Sequence, residues 1–317
     1  MKISIQRQRF LWRTGFFILF IFAPVLDIFR FDLNEGHFVL FGHALVFGID
    51  ASKNPVEILR NMFIYFFLPV VSIVSAGIFI SWKWGRLYCG WLCPHFSVVE
   101  IINGSLRRTI GKLSLWDKTE LPSQQMDGKN IQANKAWWPI TGAVVVFFSF
   151  LWAVILITYL LPPLEIYSNL YHFTLTQYQF NFIVIATAVL SIEFLFARHL
   201  FCRFGCAVGL FQSLVWMGNK KAMVVGFDRK RANLCSSCDA SCEHACPMRL
   251  KPRSLKRNMF TCTQCMQCID ACEKVKIQQT TVPLLKMLQN DCALDVSGRG
   301  LGYKPKIAVK CFEQEKD

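Results

Sequence analysis

Eight cysteines fall between Cys235 and Cys272, in the stretch CSSCDASCEHACPMRLKPRSLKRNMFTCTQCMQCIDAC. Cys262, Cys265, Cys268 and Cys272 form C-x2-C-x2-C-x3-C; Cys235, Cys238, Cys242 and Cys246 form C-x2-C-x3-C-x3-C followed by Pro247. Tandem runs of this kind mark chains that hold two cubanes, three thiolates of one run and the last of the other serving each cluster. The spacing assigns Cys235, Cys238, Cys242 and Cys272 to one 4Fe–4S cluster and Cys246, Cys262, Cys265 and Cys268 to the other. Short gaps let a tight loop wrap three iron corners, and the distant cysteine closes the fourth. Zinc ribbons are the competing chemistry. Ribbons usually join two C-x2-C units across a longer gap and do not need a third cysteine at the short spacing. The first run carries one extra residue between its second and third cysteines, and Glu273 follows the second run where proline is common. The basic residues between the runs, Arg249, Lys251, Arg253, Lys256 and Arg257, are either a solvated loop or a set of charges that raises cluster potentials or meets an acidic electron partner.

Four further cysteines form two C-x3-C pairs, Cys89/Cys93 and Cys202/Cys206. On a helix, residues four apart share one face, so each pair can aim two sulfurs at one point. Two pairs together offer four soft thiolates, which suit Cu(I), zinc or iron–sulfur; a redox dithiol or inert buried thiols are the alternatives. These four are the candidate catalytic residues. Glu193, in an apolar segment, is a candidate proton or quinone site, against a structural pair with Arg198 or Arg203. His95, directly after Cys93-Pro94, could add a ligand or bind a quinone, or simply be solvated. Cys292 and Cys311 have no partner spacing and are expected to be free thiols. No C-x-x-C-H occurs, which excludes covalent c-type haem, and no Gly-rich dinucleotide fingerprint is present.

The elements that must position these cysteines are largely apolar. The 317-residue chain is 53% hydrophobic with a mean hydropathy of +0.35 and a net charge of +14. Four segments, near 10–29, 61–82, 137–161 and 178–197, are long and apolar enough to cross a bilayer, and the basic N-terminus with its apolar run reads as a retained anchor. The apolar run at 207–217 is too short to span and is expected at the interface. Residues 1–13 carry Lys2, Arg7, Arg9 and Arg13 and no acid; the 83–136 loop has eight Lys/Arg and the tail from 198 has twenty. The 30–58 loop has two Lys/Arg against four acids, and the 162–177 loop has Glu165 alone. The positive-inside rule then places both termini, the middle loop and the cysteine-rich tail in the cytoplasm. Topology accounts for the net charge, so no nucleic-acid partner is expected.

An internal repeat is visible. GRLYCGWLCPHFSVVEIING follows the second span and RHLFCRFGCAVGLFQSLVWMGN follows the fourth. The expected fold is an all-α polytopic membrane domain of four transmembrane helices built as a two-hairpin pseudo-repeat (1–220). A small α+β domain like bacterial two-cluster ferredoxins (221–285) and a C-terminal tail (286–317) follow it.

The ordering of these motifs resembles the FixG/CcoG/RdxA family, iron–sulfur accessory proteins of cytochrome c oxidase assembly within a polyferredoxin superfamily that includes NapH and NosR. The resemblance runs from about residue 10 to 305 and rests on RFDLNEGHFVLFG, GRLYCGWLCP, FCRFGCAVGLFQS and CMQCIDACEKV. Ala207 stands where the second C-x3-C-P would have proline, and the chain corresponds to a short form without the family's immunoglobulin-like C-terminal domain. The resemblance implies a multi-pass protein of the bacterial cytoplasmic membrane with two 4Fe–4S clusters, an electron donor on the cytoplasmic side, and copper at Cys89, Cys93, Cys202 and Cys206. The implied oxidoreductase activity is reduction of Cu(II) to Cu(I) for an oxidase copper centre, with oxidase assembly factors as partners. Two other readings stay open: a NapH-like quinol dehydrogenase subunit feeding a periplasmic reductase with quinone as partner, and a redox-sensing scaffold or metal chaperone.

Overall fold

In the computed structural model, the described residues are 4–45, 55–298 and 311–312. Lys2, Asp50 and Lys53 of the charge pattern, and most of the 286–317 tail, lie outside the described residues. The chain divides into two compact units that do not follow chain order: residues 1–14, 78–141 and 196–317 form one, and residues 15–77 and 142–195 the other.

The second of these units is apolar. Three helices are long and apolar enough to cross a membrane: Pro55–Trp84, Lys135–Thr158 and Gln177–Ala197. Many of their side chains are exposed, as Ile73 is at 72%, which suits hydrocarbon rather than water. The expected first span differs. Helix Ile5–Phe22 carries Arg7, Arg9 and Arg13 in its first half, so only Gly15–Phe22 is a continuous apolar run. The chain then turns into a three-stranded antiparallel sheet, Phe29–Asp32, His37–Leu40 and His43–Leu45. This sheet is tied to the end of helix Trp138–Thr158 by Phe31 N–H donating to the Tyr159 carbonyl at 2.9 Å and Leu33 N–H to Leu160 at 3.0 Å. Thr176 and Gln179 form a capping box that starts helix Gln177–Ile192.

The other unit holds every cysteine. Its central helix, Pro94–Ile110, begins with proline at the first helical position and ends at Gly111 in the left-handed conformation (φ 71°). Val98, Val99, Ile102 and Leu106, at three- and four-residue spacing, are fully buried. The cysteine-rich segment is framed by an antiparallel pair, Val224–Phe227 with Leu285–Leu288, in the register Val225↔Met287 and Phe227↔Leu285. Helices Ser241–His244 and Gln267–Gln278 pack on each other, and helix Asn290–Gly298 packs on strand Val224–Phe227. Cys292 and Cys311 are not free: they are joined in a disulfide with Cα atoms 5.6 Å apart. The two cysteines are 19 positions apart with no short-range pattern between them, so nothing local announced the pair.

Glu100 ties three helices of this unit together. Arg9 Nη2 donates to its Oε1 at 2.6 Å, Arg13 pairs with its Oε2, and Gln267 Nε2 donates to Oε1 at 2.8 Å. Arg9 is 2% and Glu100 11% exposed. Removing one partner of a buried pair leaves the others uncompensated, at a cost of about 3–5 kcal/mol. Glu100→Ala is therefore expected to lower the thermal midpoint of the detergent-solubilised protein sharply, followed by tryptophan fluorescence, whereas Glu100→Gln retains part of the loss.

Candidate functional site

The eight tail cysteines surround two cavities. The first is lined by Cys235, Cys238, Cys242 and Cys272. The second is lined by Cys246, Cys262, Cys265 and Cys268. Phe227 closes the first and Val225 the second. These residues are two apart on one strand and so face the same way, one toward each cavity. Each short helix serves both cavities. Cys242 lies within Ser241–His244 and Cys246 two residues past its end, and Cys268 and Cys272 lie one turn apart on Gln267–Gln278.

The loops that carry these cysteines contain Ala240, Gln264 and Met266 with φ of 60°, 49° and 61°. Non-glycine residues in this left-handed region cost about 1–3 kcal/mol each and persist where the surroundings hold them. The turns wrap the chain around a central space and point backbone N–H groups at sulfur, as Leu250 N–H does to Cys246 Sγ at 3.4 Å. Burial pushes the Cys242 and Cys262 thiols up to about 12 and Cys246 up to about 11. Bare thiols here stay protonated, whereas coordination to a metal deprotonates them.

The C-x3-C pairs differ from expectation in local structure. Neither pair lies on one continuous helix. Cys89 sits in the short helix Leu87–Trp91, while Cys93 is the N-cap of Pro94–Ile110. Cys202 sits in the π-helical turn Phe201–Gly205, while Cys206 is the N-cap of Ala207–Gly218 and its Sγ accepts from Gly209 N–H at 3.5 Å. In both copies the chain breaks helix between the two sulfurs, and the second cysteine opens the next helix. Ala207 takes the first-turn position that Pro94 fills in the other copy, which a good helix former does equally well.

The two copies exchange partners. Cys89 Sγ donates to Gln212 Oε1 at 3.3 Å, and Cys202 Sγ lies 3.6 Å from His95 Nδ1. Cys206 interacts electrostatically with both Cys89 and Cys93; burial pushes the Cys89 thiol up, and the Cys93 thiol up to about 11. The structure thus brings Cys89, Cys93, Cys206, Cys202 and His95 into one neighbourhood. Glu193 is half-buried in the π-helical turn Glu193–Ala197 of the apolar unit.

Residues that spacing did not single out join this neighbourhood to the second cavity. Trp91 Nε1 donates to the Gln264 carbonyl at 3.1 Å, and Gln6 Nε2 to the Cys265 carbonyl at 3.1 Å. A Cβ on Gly90 would stand 2.1 Å from the Thr263 carbonyl oxygen, so only glycine permits this approach. Arg86 donates to the Cys202 carbonyl at 2.8 Å. The glycine between Cys89 and Cys93, and the basic residue ahead of the pair, were the available signals.

The donor set fits clusters better than single ions. Among the described residues, no three His, Cys, Asp or Glu side chains converge closely enough to hold one metal ion. Four sulfurs ringing a cavity instead of meeting at a point suit a cubane, and a single tetrahedral zinc does not.

The chain matches the family described as "4Fe-4S binding domain" twice, at residues 66–112 and 178–223. Each match contains one C-x3-C pair. Among curated proteins, it is 27% identical over 192 residues to an uncharacterised Methanocaldococcus jannaschii protein, MJ0750, covering 60% of this chain and 70% of that one. It is 24% identical over 236 residues to YccM of Escherichia coli, a protein named for a proposed role in electron transport, covering 71% of this chain. It spans only 59% of YccM and 66% of a second M. jannaschii protein, MJ0749. No solved structure matches.

Near the second C-x3-C pair, His199 is 5% exposed. Burial first, then the charges of Arg198 and Arg203, hold its pKa down to about 4. Below about 6.5 the unfolded chain binds a proton that the folded chain refuses, so stability is complete above that pH and falls toward pH 4, by up to about 3 kcal/mol. The thermal midpoint is expected to drop between pH 7 and 5 in the wild type, and this slope to shrink in His199→Gln.

Proposed function

We propose that this protein is a membrane-embedded iron–sulfur electron-transfer protein. In this reading electrons pass from a cytoplasmic donor through the tail to the C-x3-C sulfurs. The observation that carries the proposal is the pairing of two four-cysteine cavities with the direct seating of the Cys262–Cys268 loop against Gly90 and Trp91. Cys235, Cys238, Cys242 and Cys272 would hold one 4Fe–4S cluster, and Cys246, Cys262, Cys265 and Cys268 the other. When bound, such clusters supply one-electron transfer. The chain's own residues position the two sites through shared helices, while Phe227, Leu284, Val225 and Met248 exclude water from them. Two matches to one family model support a two-hairpin duplication, and the charge pattern supports cytoplasmic termini.

For the acceptor we infer a copper ion. Cys89, Cys93, Cys202 and Cys206, with His95 beside Cys202, are soft donors of the kind that prefers Cu(I), and they would have to close in on the ion, since no three of them converge closely enough to hold one here. Bound Cu(II) would take one electron, supplied by the cytoplasmic donor, and become Cu(I). A second reading is favoured by one observation: the two 4Fe-4S family matches each cover one pair of these cysteines and neither reaches the tail. The same sulfurs could therefore hold a further cluster.

Iron, sulfide and copper analysis of anaerobically purified protein separates these readings. About eight irons per chain with copper retained or reduced supports the first, and about twelve supports the second; zinc in place of iron would overturn both. Cys265→Ala is expected to abolish one low-temperature EPR signal of the dithionite-reduced protein and spare the other. Cys89→Ser with Cys202→Ser should keep about eight irons while copper reduction falls at least tenfold. Undiminished reduction in that double variant would remove the C-x3-C sulfurs from the path.

A further inference from the structure

Arg86 stands immediately before helix Leu87–Trp91 and is 1% exposed. Its Nη2 donates to the Cys202 carbonyl at 2.8 Å and its Nη1 to the Thr261 carbonyl at 3.5 Å. One guanidinium thus reaches both the second C-x3-C pair and the segment leading into Cys262. Its charge is felt at the sulfurs of Cys89 and of Cys262. A Cβ on Gly209 would come 2.4 Å from Nη2, so a glycine makes the room the guanidinium occupies.

Among the described residues Arg86 has no carboxylate partner, and its Nε has no hydrogen-bond partner. A buried cation is costly unless negative charge compensates it. Here that charge would come from a metal-bound Cys262, next to the Thr261 carbonyl that Arg86 reaches. The other cations near the tail sites are differently placed. Arg9 and Arg13, which act on Cys265, share the carboxylate of Glu100. At the first cavity Arg253 pairs with Glu243, and Lys276 donates to the Leu234 carbonyl and to Gln279.

We propose that Arg86 is a positioning residue that couples the second tail cluster to the C-x3-C sulfurs, its fixed charge raising that cluster's reduction potential and leaving the first cluster's unchanged. Reduction adds one negative charge to a cluster, and an unscreened neighbouring cation favours the reduced form. Electrons are thereby drawn to the cluster that lies against the C-x3-C motif. The inference rests on the two-cluster reading, and its test separates the two.

The experiment is an EPR-monitored redox titration of the full chain in detergent, with iron counted in every sample. Wild-type protein without two cluster signals would overturn the two-cluster reading itself. Given two signals, the one lost in Cys265→Ala identifies the second cluster. In Arg86→Gln its reduced-to-oxidised ratio at fixed potential is expected to fall at least tenfold, a 59 mV drop for one electron, with the other cluster and the iron content unchanged. Arg86→Lys, which keeps the charge, is expected to recover most of that drop. Equal potentials in Arg86→Gln and wild type, or equal shifts of both clusters, would overturn the proposal. Should Arg86→Gln lose iron, Gly209→Ala carries the test: it retains the charge but displaces the guanidinium, and an unmoved second-cluster potential there overturns the proposal.

Discussion

The arrangement depends on the contact between Gly90 and the carbonyl of Thr263. Two backbone segments far apart in sequence touch where a single methyl group would stand 2.1 Å from an oxygen. Arg9 Nε takes the Gly90 carbonyl at 2.7 Å, and Trp91 takes Gln264 at 3.1 Å, so the peptide groups around the contact are hydrogen-bonded. With that approach fixed, the loop from Cys262 to Cys268 has one place to lie. The helix it feeds carries Cys272 into the other cavity, and both tail sites follow.

Charge imposes the next constraint. Sulfur ligands buried among apolar side chains resist ionisation, as the upward displacement of Cys242, Cys246 and Cys262 records. Metal charge reverses that preference, and a low dielectric strengthens whatever fixed charges remain nearby. The unit holds its nearby cations differently. Arg9 and Arg13 are balanced by Glu100, whereas Arg86 faces sulfur and backbone carbonyls. Burial itself disfavours a cluster's more negative state, so cations of this kind decide how readily it accepts an electron.

Local conformation serves the same end. Ala240, Gln264 and Met266 occupy left-handed backbone positions without being glycine; Gln264 and Met266 flank Cys265, and Ala240 lies two residues from both Cys238 and Cys242. In the C-x3-C copies the helix breaks between the sulfurs and the second cysteine is the N-cap of the following helix; in the second copy its sulfur also accepts from a first-turn N–H. Helix N-termini present unpaired N–H groups and a favourable dipole to negative sulfur. A continuous helix would have pointed both sulfurs along one face without offering either of them those donors.

Spacing alone picked out twelve of the fourteen cysteines and the order of apolar segments, because cysteine runs and hydropathy are short-range patterns that a single stretch of chain carries. The same eight tail cysteines line the two cavities. Other features were not legible. Helix Ile5–Phe22 reads as apolar from Phe10 onward, but Arg9 and Arg13 belong to a buried ionic contact with Glu100 on a distant segment. The Cys292–Cys311 disulfide, the break of helix inside each C-x3-C pair, and the roles of Gly90 and Arg86 depend on what a residue meets across the fold. Sequence determined which groups could bind metal and which segments suit a bilayer. Tertiary structure decided which sulfurs share a space and which cation lies between them, because those distances are set by packing between remote segments, which no local pattern encodes.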